Sequence, residues 1–582
     1  MFSVPARRGS RCGGRLLLRG AGGAGGGAGR FEGVNDGASR WEFLVNIPDR
    51  PFRERVIYAG QALFDLNYTW ADDDTGVPLS LTLGDTADIF GDGSILANRR
   101  RSGGTIYSAE WDLPELTGAN KIRHVRHHFD AMGGETRLER YKGLFTSDSN
   151  QAPFAVTHYS RDTRGRATQI SHKDNAGTLL FPEATMNLTR SPGGCITRIT
   201  EPGNTAVMSY DAGLQLTAVA HSNAARTDET YTFDAAGNRL TSHFQPVANT
   251  VATGNRLTVV GGLTLEYDFE GNLIRETSTG TGAIREFGYD HNNQLVLVQT
   301  KANAGAPAVT VGEYAYDWCQ YLIKRVEGGS TTWILNDRGM PFAEFANGQN
   351  FIKRMYFYDL AMPDRFFAMW DATLGERWFL QDQRNSIRGV ITVDASSSIS
   401  AVPGTVTPVV WADYDAFGQL ISGDPALLGN LRFAGRFWSD AAQLYENRAR
   451  HYSPSLGRFI QEDPIGFRGG DLNRYRYVGN DPHNRTDPSG LVEAMEYADL
   501  LSSIADVLIL SGDIAKIGIC VCQMIGAAAD GFPGVQSGNP SACIGNALGA
   551  GPIPNVGIFG AAANALFAPP AGLGGVVDAC GK

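Results

Sequence analysis

The stretch YTFDAAGNRLTSH, residues 231–243, carries the pattern that decides the fold of this chain of 582 residues. An aromatic residue precedes Asp234, and Gly237 and Asn238 follow it before a segment of alternating apolar and polar residues. Aspartate accepts hydrogen bonds from backbone N–H groups in a turn, and glycine or asparagine adopts the positive φ that such turns require. The pattern therefore predicts a β-hairpin whose first strand ends at the aromatic residue.

The same pattern recurs along the middle of the chain. Clear copies are LEYDFEGNLIRET, FGYDHNNQLVLVQ and ADYDAFGQLISG, and weaker ones include HYSRDTRGRATQISH and YAYDWCQYLIKRV. The repeated aspartates, at intervals of roughly 20–35 residues, are Asp211, Asp234, Asp268, Asp290, Asp317, Asp337, Asp359, Asp382 and Asp415. Because one hairpin cannot bury its apolar face alone, successive hairpins are expected to stack into a continuous sheet.

These units resemble the YD repeats of the RHS (rearrangement hotspot) and teneurin-type family, over residues 155–491. The resemblance implies a mainly β fold, in which stacked YD-type hairpins spiral into a β-shell around a C-terminal effector. The length predicts a partial wrap or a fragment of such a shell. We expect a disordered Gly/Arg-rich leader at 1–40, a divergent β-rich region at 41–154 and the repeat shell at 155–430.

A second stretch, residues 433–491, resembles the RHS repeat-associated core domain along its full length, and we assign 431–491 to that core domain. The motifs GRF, DPIG, GG-LN-Y-Y--N-P and DP-GL occur in the family order. The chain departs from the family at HYSPSLGRF, where Tyr-Tyr-Asp-Pro is usual, and at Arg474, where leucine is usual. The ordered set of motifs is more specific than any single repeat.

In family members attached to toxins, this core is similar to an aspartate-type protease that cuts its own chain after the DP-GL leucine. The resemblance assigns the carboxylates to Asp463 and Asp487, the arginine to Arg450 and the cleaved bond to Leu491–Val492. Two neighbouring carboxylates can share a proton, so that one activates water while the other protonates the leaving group. An arginine can orient a carboxylate or polarise the carbonyl.

Structural turns are an alternative explanation of the same residues. Asp-Pro is a common turn starter, since aspartate accepts backbone hydrogen bonds and proline restricts φ. We assign the third pair, Asp481-Pro482, to a turn. The sequence does not show whether Asp463 and Asp487 meet. The alternative function is accordingly a structural or cell-surface YD-repeat protein that binds carbohydrate or a partner and never cleaves.

The composition changes after Leu491. Residues 492–582 contain no arginine and no histidine, which argues against a histidine-based nuclease. Apolar residues at helical spacing between 500 and 517 predict a short helical tail. Its most apolar part, IGICVCQMIGAAA, is too short to span a bilayer. Three interpretations are open: a helical tail packed against the shell, a membrane-active effector, or an enzyme.

Charge and motifs limit the partners and cofactors. The net charge of −10 argues against a nucleic-acid partner. The family implies an immunity protein or a secretion-system component as partner, with a glycan or the membrane of a target cell as further candidates. It also implies export from the cytoplasm, although the apolar run at 16–18 is too short for a signal peptide. We expect no cofactor and no metal, since His124, His127 and His128 lack the frame of a zinc site and fit a polar strand or turn.

Overall fold

The computed structural model describes the backbone of strands from residue 29 to residue 495. It describes side chains over 123–491, apart from 132, 143–151, 318–319, 338, 347–351, 360–361 and 395–404. Within this part of the chain the secondary structure is almost entirely antiparallel β-strand. The mainly β fold that the repeats predict is therefore confirmed.

The first sheet contains 17 strands, each paired antiparallel with the next one along the chain. Its strands are β1 (Gly29–Asn35), β2 (Ser39–Ile47), β3 (Arg50–Tyr58), β4 (Leu63–Trp70), β5 (Pro78–Gly84), β6 (Ile95–Ser102), β7 (Thr105–Asp112), β8 (Ile122–Phe129), β9 (Glu135–Lys142), β10 (Ala155–Arg161), β11 (Ala167–Asp174), β12 (Thr185–Arg190), β13 (Ile196–Glu201), β14 (Asn204–Tyr210), β15 (Leu216–His221), β16 (Glu229–Phe233) and β17 (Arg239–Ser242).

The second sheet contains 15 strands in the same sequential antiparallel order. They are β18 (Thr250–Ala252), β19 (Arg256–Val260), β20 (Leu263–Tyr267), β21 (Leu273–Ser278), β22 (Ile284–Tyr289), β23 (Leu295–Lys301), β24 (Val309–Tyr316), β25 (Leu322–Glu327), β26 (Ser330–Asp337), β27 (Met340–Ala346), β28 (Ile352–Tyr358), β29 (Phe366–Asp371), β30 (Gly375–Gln381), β31 (Ile387–Val393) and β32 (Val406–Trp411).

Short elements follow these sheets. The strands are β33 (Asp413–Tyr414) with β34 (Leu420–Ser422), the four-stranded sheet β35 (Phe437–Ser439), β36 (Leu444–Asn447), β37 (Arg450–Ser453) and β38 (Arg458–Phe459), and the pair β39 (Arg485–Thr486) with β40 (Ala494–Met495). The helices are α1 (Pro425–Leu428) and three 3-10 helices at Phe433–Gly435, Gly466–Gly469 and Val478–Asn480.

The turn between β16 and β17 shows why the repeated pattern forms hairpins. Asp234 Oδ1 accepts hydrogen bonds from the backbone N–H groups of Ala236 at 2.9 Å and Asn238 at 2.8 Å. Its Oδ2 accepts a third from Nδ2 of Asn238 at 2.8 Å. Gly237 adopts a φ of +74°, which glycine does without steric cost. One aspartate thus satisfies most of the polar groups of its own turn.

Seven further aspartate turns use the same bonds. The aspartate side chain accepts from backbone N–H groups two or four residues later at Asp162, Asp211, Asp268, Asp290, Asp317, Asp382 and Asp415. Two turns have neither glycine nor asparagine at the position with positive φ. Leu214 and Gln320 occupy it, with φ values of 59° and 66°. At these positions the hydrogen-bonded turn holds a non-glycine residue in a backbone conformation that such residues rarely adopt.

One boundary of the expected organisation is corrected. Strand β1 lies inside the range 1–40 that we expected to be a disordered leader, and its backbone pairs with β2 from Gly29↔Val45 to Asn35↔Arg40. Backbone pairing with a neighbouring strand overrides a glycine-rich composition there. Residues 1–28 and the tail that was expected to be helical lie outside the described residues, apart from β40. No helix among the described residues is long and apolar enough to cross a membrane.

The core domain contacts the turns of the repeat hairpins directly. Asn473 Nδ2 donates to Oδ1 of Asn238 at 2.9 Å, and Asn480 Nδ2 donates to the carbonyl oxygen of Gly237 at 2.8 Å. Tyr475 donates to the carbonyl oxygen of Gly271 at 2.7 Å. Inside the core domain, an aromatic cluster is buried: Phe433, Trp438, Tyr445, Tyr452, Phe459 and Tyr477. The core domain is therefore bonded directly to the repeat turns.

Candidate functional site

Three short strands of the core domain bring the predicted site residues to one cleft. Arg450 begins β37, Asp463 follows β38, and Asp487 follows β39. Each strand is only two to four residues long, so the side chains at its ends are held by turns and by neighbouring backbone. The cleft encloses about 320 Å³ of empty space, part of it open to solvent.

Arg450 joins the two carboxylates. Its Nη2 lies 3.4 Å from Oδ2 of Asp463 and 3.2 Å from Oδ2 of Asp487. The side chains are nearly inaccessible, with exposed fractions of 4% for Arg450, 8% for Asp463 and 2% for Asp487. Burial strengthens electrostatic interactions between such groups and makes an unpaired charge costly. The structure thus brings together the residues that the resemblance assigned to catalysis.

The remaining contacts of Arg450 fix its orientation. Its Nη1 donates to the carbonyl oxygen of Arg474 at 3.0 Å, and its Nε donates to the carbonyl oxygen of Gly490. Its guanidinium carbon lies 3.6 Å from the centre of the Phe459 ring, a cation–π contact. Burial lowers the pKa of Arg450, although the carboxylates of Asp463 and Asp487 oppose that shift.

The segment before the predicted cleavage site is a modified repeat turn. Asp487 Oδ1 accepts hydrogen bonds from the backbone N–H groups of Ser489 and Leu491, each at 3.2 Å. Gly490 between them has a φ of +70°. These are the bonds and the glycine position of the Asp234 turn. Here, however, Oδ2 of Asp487 accepts from Arg450, whereas Oδ2 of Asp234 accepts from the side-chain amide of Asn238 in its own turn.

The Leu491 carbonyl oxygen and the Asp463 carboxylate both face Gly469. A Cβ atom built on Gly469 would be 3.0 Å from Oδ2 of Asp463 and 3.2 Å from the carbonyl oxygen of Leu491. Both oxygens therefore surround the same point, and the lack of a side chain at Gly469 leaves the space between them open. This arrangement can carry a proton between a carboxylate and the atoms of the Leu491 peptide.

The cleft also contains residues that the sequence did not single out. Asp471 accepts from Nε of Arg476 at 2.6 Å, and Arg474 and Asn473 complete the lining. Asn473 is a fixed position of the GG-LN-Y-Y motif, whereas Asp471, Arg474 and Arg476 occupy its variable positions, so the motif gave no signal for these three. Val492, on the other side of the predicted bond, lies outside the described residues.

Two other sequence features have different surroundings. Asp481 is buried and accepts from Nδ2 of Asn484 at 2.7 Å within a turn, and it does not line the cleft described above. The histidine run lies on β8, where His127 Nδ1 is 2.7 Å from Glu135 and His128 Nε2 is 2.7 Å from Glu139. Over the described side chains, no group of three or more His, Cys, Asp or Glu residues could hold a metal ion.

The stacked aspartate-turn hairpins, with a core domain folded on their turns, define a YD-repeat shell protein. Residues 194–483 match the family described as Teneurin YD-shell. The chain belongs to the RHS/YD-repeat family, as the motifs predicted.

Individual relatives extend this comparison. Double-stranded DNA deaminase toxin A of Burkholderia cenocepacia is 31% identical over 288 residues, which cover 46% of this chain and 19% of that protein. Toxin protein Tse5 of Pseudomonas aeruginosa is 42% identical over 62 residues, which cover 11% of this chain and 5% of that protein. A crystal structure of TcdB2-TccC3 is similar with 16% identity and a TM-score of 0.40, over 78% of this chain and 28% of that one. The chain spans less than a fifth of the length of either toxin.

Proposed function

We propose that this chain presents a C-terminal effector and releases it by cutting its own backbone between Leu491 and Val492. One observation carries the proposal: a single buried guanidinium, that of Arg450, contacts the carboxylates of Asp463 and Asp487, and Asp463 faces the same gap as the Leu491 carbonyl oxygen. Membership of a family whose relatives include proteins named as toxins supports the effector role of the residues that follow.

The contacts support different roles for the two carboxylates. Asp487 Oδ1 is bonded by its own turn and Oδ2 by Arg450, so Asp487 holds the segment before the cleaved bond. Asp463 Oδ2 borders the Leu491 carbonyl and is suited to proton transfer. Asp463 takes a proton from a water molecule as that water adds to the carbonyl carbon of Leu491.

The second step returns the proton. Asp463 gives it to the nitrogen of Val492, the C–N bond breaks, and the products are a carboxylic acid at Leu491, which then ionises, and an amine at Val492. Arg450 supplies positive charge next to the reacting carboxylates in a site largely shielded from water. Since substrate and catalyst are one chain, high effective concentration compensates for a slow catalyst.

Intact-mass measurement of the purified full chain tests the proposal. We expect two fragments that end at Leu491 and begin at Val492, and a full-length product from Asp463→Asn. Asp481→Asn is the matched control, because it alters an Asp-Pro pair in a turn away from the cleft and should leave cleavage intact. A wild-type chain that stays full length after folding would refute self-cleavage. Fragments that end at an aspartate would indicate acid hydrolysis of Asp-Pro bonds instead.

We propose that residues 492–582 are the effector, that the protein is exported, and that an immunity protein protects the producing cell. The family relatives support this part, and the absence of arginine and histidine from 492–582 favours membrane attack over nuclease activity. Bacteria that express the wild-type chain and Asp463→Asn separate the possibilities. Growth arrest with leakage only for the wild type supports a released membrane-active effector, and arrest with intact membranes supports an enzyme. Equal growth would contradict toxicity.

A further inference from the structure

Arginine side chains hold the backbone of the segment before the cleaved bond. Arg436 Nη2 donates to the carbonyl oxygen of Asp487 at 3.1 Å, and Arg448 Nη1 donates to that of Pro488. Arg450 holds the carbonyl oxygen of Gly490 in the same way. The contacts are made to main-chain oxygens, so they fix the path of the segment whatever its side chains are.

Two of these arginines converge on one buried aspartate from the repeats. Asp364 Oδ2 lies 2.7 Å from Nη2 of Arg436, and its Oδ1 lies 2.7 Å from Nη2 of Arg448. Asp364 is 4% exposed and lies in the loop between β28 and β29, where it adopts a φ of 65°. A residue of the repeat sheet therefore sets the position of two core-domain side chains.

Further contacts keep this arrangement rigid. Arg448 Nε donates at 3.2 Å to the carbonyl oxygen of Gly339, in the turn between β26 and β27. A side chain on Gly435 would collide with the carbonyl oxygen of Asp364, so the core-domain backbone packs directly against that loop. Burial acts to lower the pKa of Arg448, but the adjacent Asp364 carboxylate outweighs it and the pKa is raised.

We propose that Asp364 is a positioning residue for self-cleavage: it holds Arg436 and Arg448 on the carbonyl oxygens of Asp487 and Pro488. Cleavage then waits until the hairpin that carries Asp364 has folded against the core domain, so that an effector is released only from an assembled repeat sheet. This inference rests on the proposed self-cleavage. Asp364 touches none of the reacting atoms and acts through the two arginines.

Cell-free translation of the full chain measures the rate, since the cut fraction can be followed from the moment of synthesis. Asp364→Asn replaces one acceptor oxygen by a donor that repels the guanidinium groups. We expect cleavage at least about tenfold slower, toward the ~100-fold that small misplacements of reacting groups cost. Asp371→Asn is the matched control: Asp371 is also a buried aspartate at a repeat turn, bonded to Arg354 at 2.6 Å and away from the cleft. It should cleave at the wild-type rate.

Chemical rescue separates positioning from a general effect on folding. Arg448→Ala should be slow and should regain cleavage in millimolar guanidinium, far below denaturing concentrations, because the free ion can bind between Asp364 and Pro488. Arg354→Ala, which removes a partly buried arginine elsewhere, should not respond.

The outcomes distinguish this inference from the function on which it rests. An uncut wild-type chain would refute self-cleavage itself. A wild-type chain that is cut, together with Asp364→Asn cut at the same rate, would overturn only the role of Asp364. If Asp364→Asn cleaves slowly and is also sensitive to added protease, the substitution has disturbed folding, and the guanidinium experiment then tests the positioning role. Failure of guanidinium to restore cleavage in Arg448→Ala would contradict that role.

Discussion

The turns at Asp234 and Asp487 differ in the partner of the second carboxylate oxygen, Oδ2. In both, Oδ1 of the aspartate accepts from the N–H groups two and four residues later, and a glycine with positive φ lies between them. In the repeat turn, Oδ2 is used by the side chain of Asn238. In the core domain the corresponding residue is Leu491, and Oδ2 is bonded by Arg450 instead. At Asp487, the second oxygen thus links the turn to the cleft that Arg450 and Asp463 line.

The largest expected effect comes from changing both aspartates in the same way. Asp487→Asn should slow cleavage by roughly 10²–10³-fold, the range for loss of one electrostatic contact in an active site, because the charge that pairs with Arg450 is lost. Asp234→Asn keeps the Oδ1 bonds of its turn and should be cut at the wild-type rate. Mass spectrometry over time after synthesis measures both. Equal rates for the two variants would mean that the turns are equivalent and the comparison is wrong.

A second change alters the bond that separates the turns. Lysine at position 450 carries charge but cannot contact two carboxylates and two carbonyl oxygens with one planar group. Arg450→Lys should therefore cut about 10²-fold more slowly than wild type. Arg275→Lys is the control, because Arg275 on β21 forms a partly exposed ion pair with Glu286 on β22. Wild-type cleavage by Arg450→Lys would show that positive charge alone suffices.

A smaller effect is expected at the gap between Asp463 and the Leu491 carbonyl. Gly469→Ala introduces a methyl group 3.0–3.2 Å from both oxygens and should slow cleavage about tenfold by separating them. Gly280→Ala is the control, since nothing lies within 4 Å of its Cβ position. Limited proteolysis should show both variants folded. An unaffected rate in Gly469→Ala would place the proton transfer elsewhere.

No effect on cleavage is expected from a change at Asp415. This aspartate lies in a repeat turn, and its carboxyl group is also buried near a second carboxyl group, that of Glu229. Burial, together with the nearby Glu229, raises the pKa of Asp415 from 3.8 to about 8. The folded state therefore binds a proton that the unfolded state releases, so this contribution to stability is full below pH 3.8 and is lost as the pH rises through 8.

Thermal unfolding between pH 5 and 8 checks this. Relative to Asp415→Asn, the wild type should lose on the order of 1 kcal/mol of unfolding free energy per pH unit. Cleavage at pH 7 should not change in the variant, because Asp415 bonds within its own turn and does not line the cleft around Arg450. A loss of cleavage in Asp415→Asn would contradict the assignment of the reaction to the cleft around Arg450.

Local bonds explain how much of the fold was predictable. Each repeat aspartate bonds to atoms within four residues of itself, so the hairpins at Asp211, Asp234 and Asp290 follow from the sequence alone. The sequence-based prediction fails where the backbone conformation depends on contacts beyond the local pattern. Strand β1 forms in a glycine-rich segment because β2 pairs with it, and Leu214 adopts a positive φ because the turn around it is fixed.

The candidate site shows the same division. Motif order assigned Arg450, Asp463, Asp487 and Leu491 individually, but could not indicate whether they meet. Asp471 and Arg476 were missed because their pairing depends on how the GG-LN-Y-Y segment folds over the cleft. Asp364 is 84 residues from Arg448 in the chain, and no pattern connects the two.

By itself, the sequence determined that this is a chain of stacked aspartate-turn hairpins ending in a core domain, because turn hydrogen bonds span only a few residues. Only the tertiary structure decided which aspartates share an arginine and which repeat residue supports that arginine's neighbours. Those contacts join segments far apart in the chain, and they exist only after the sheets have stacked and the core domain has folded on their turns.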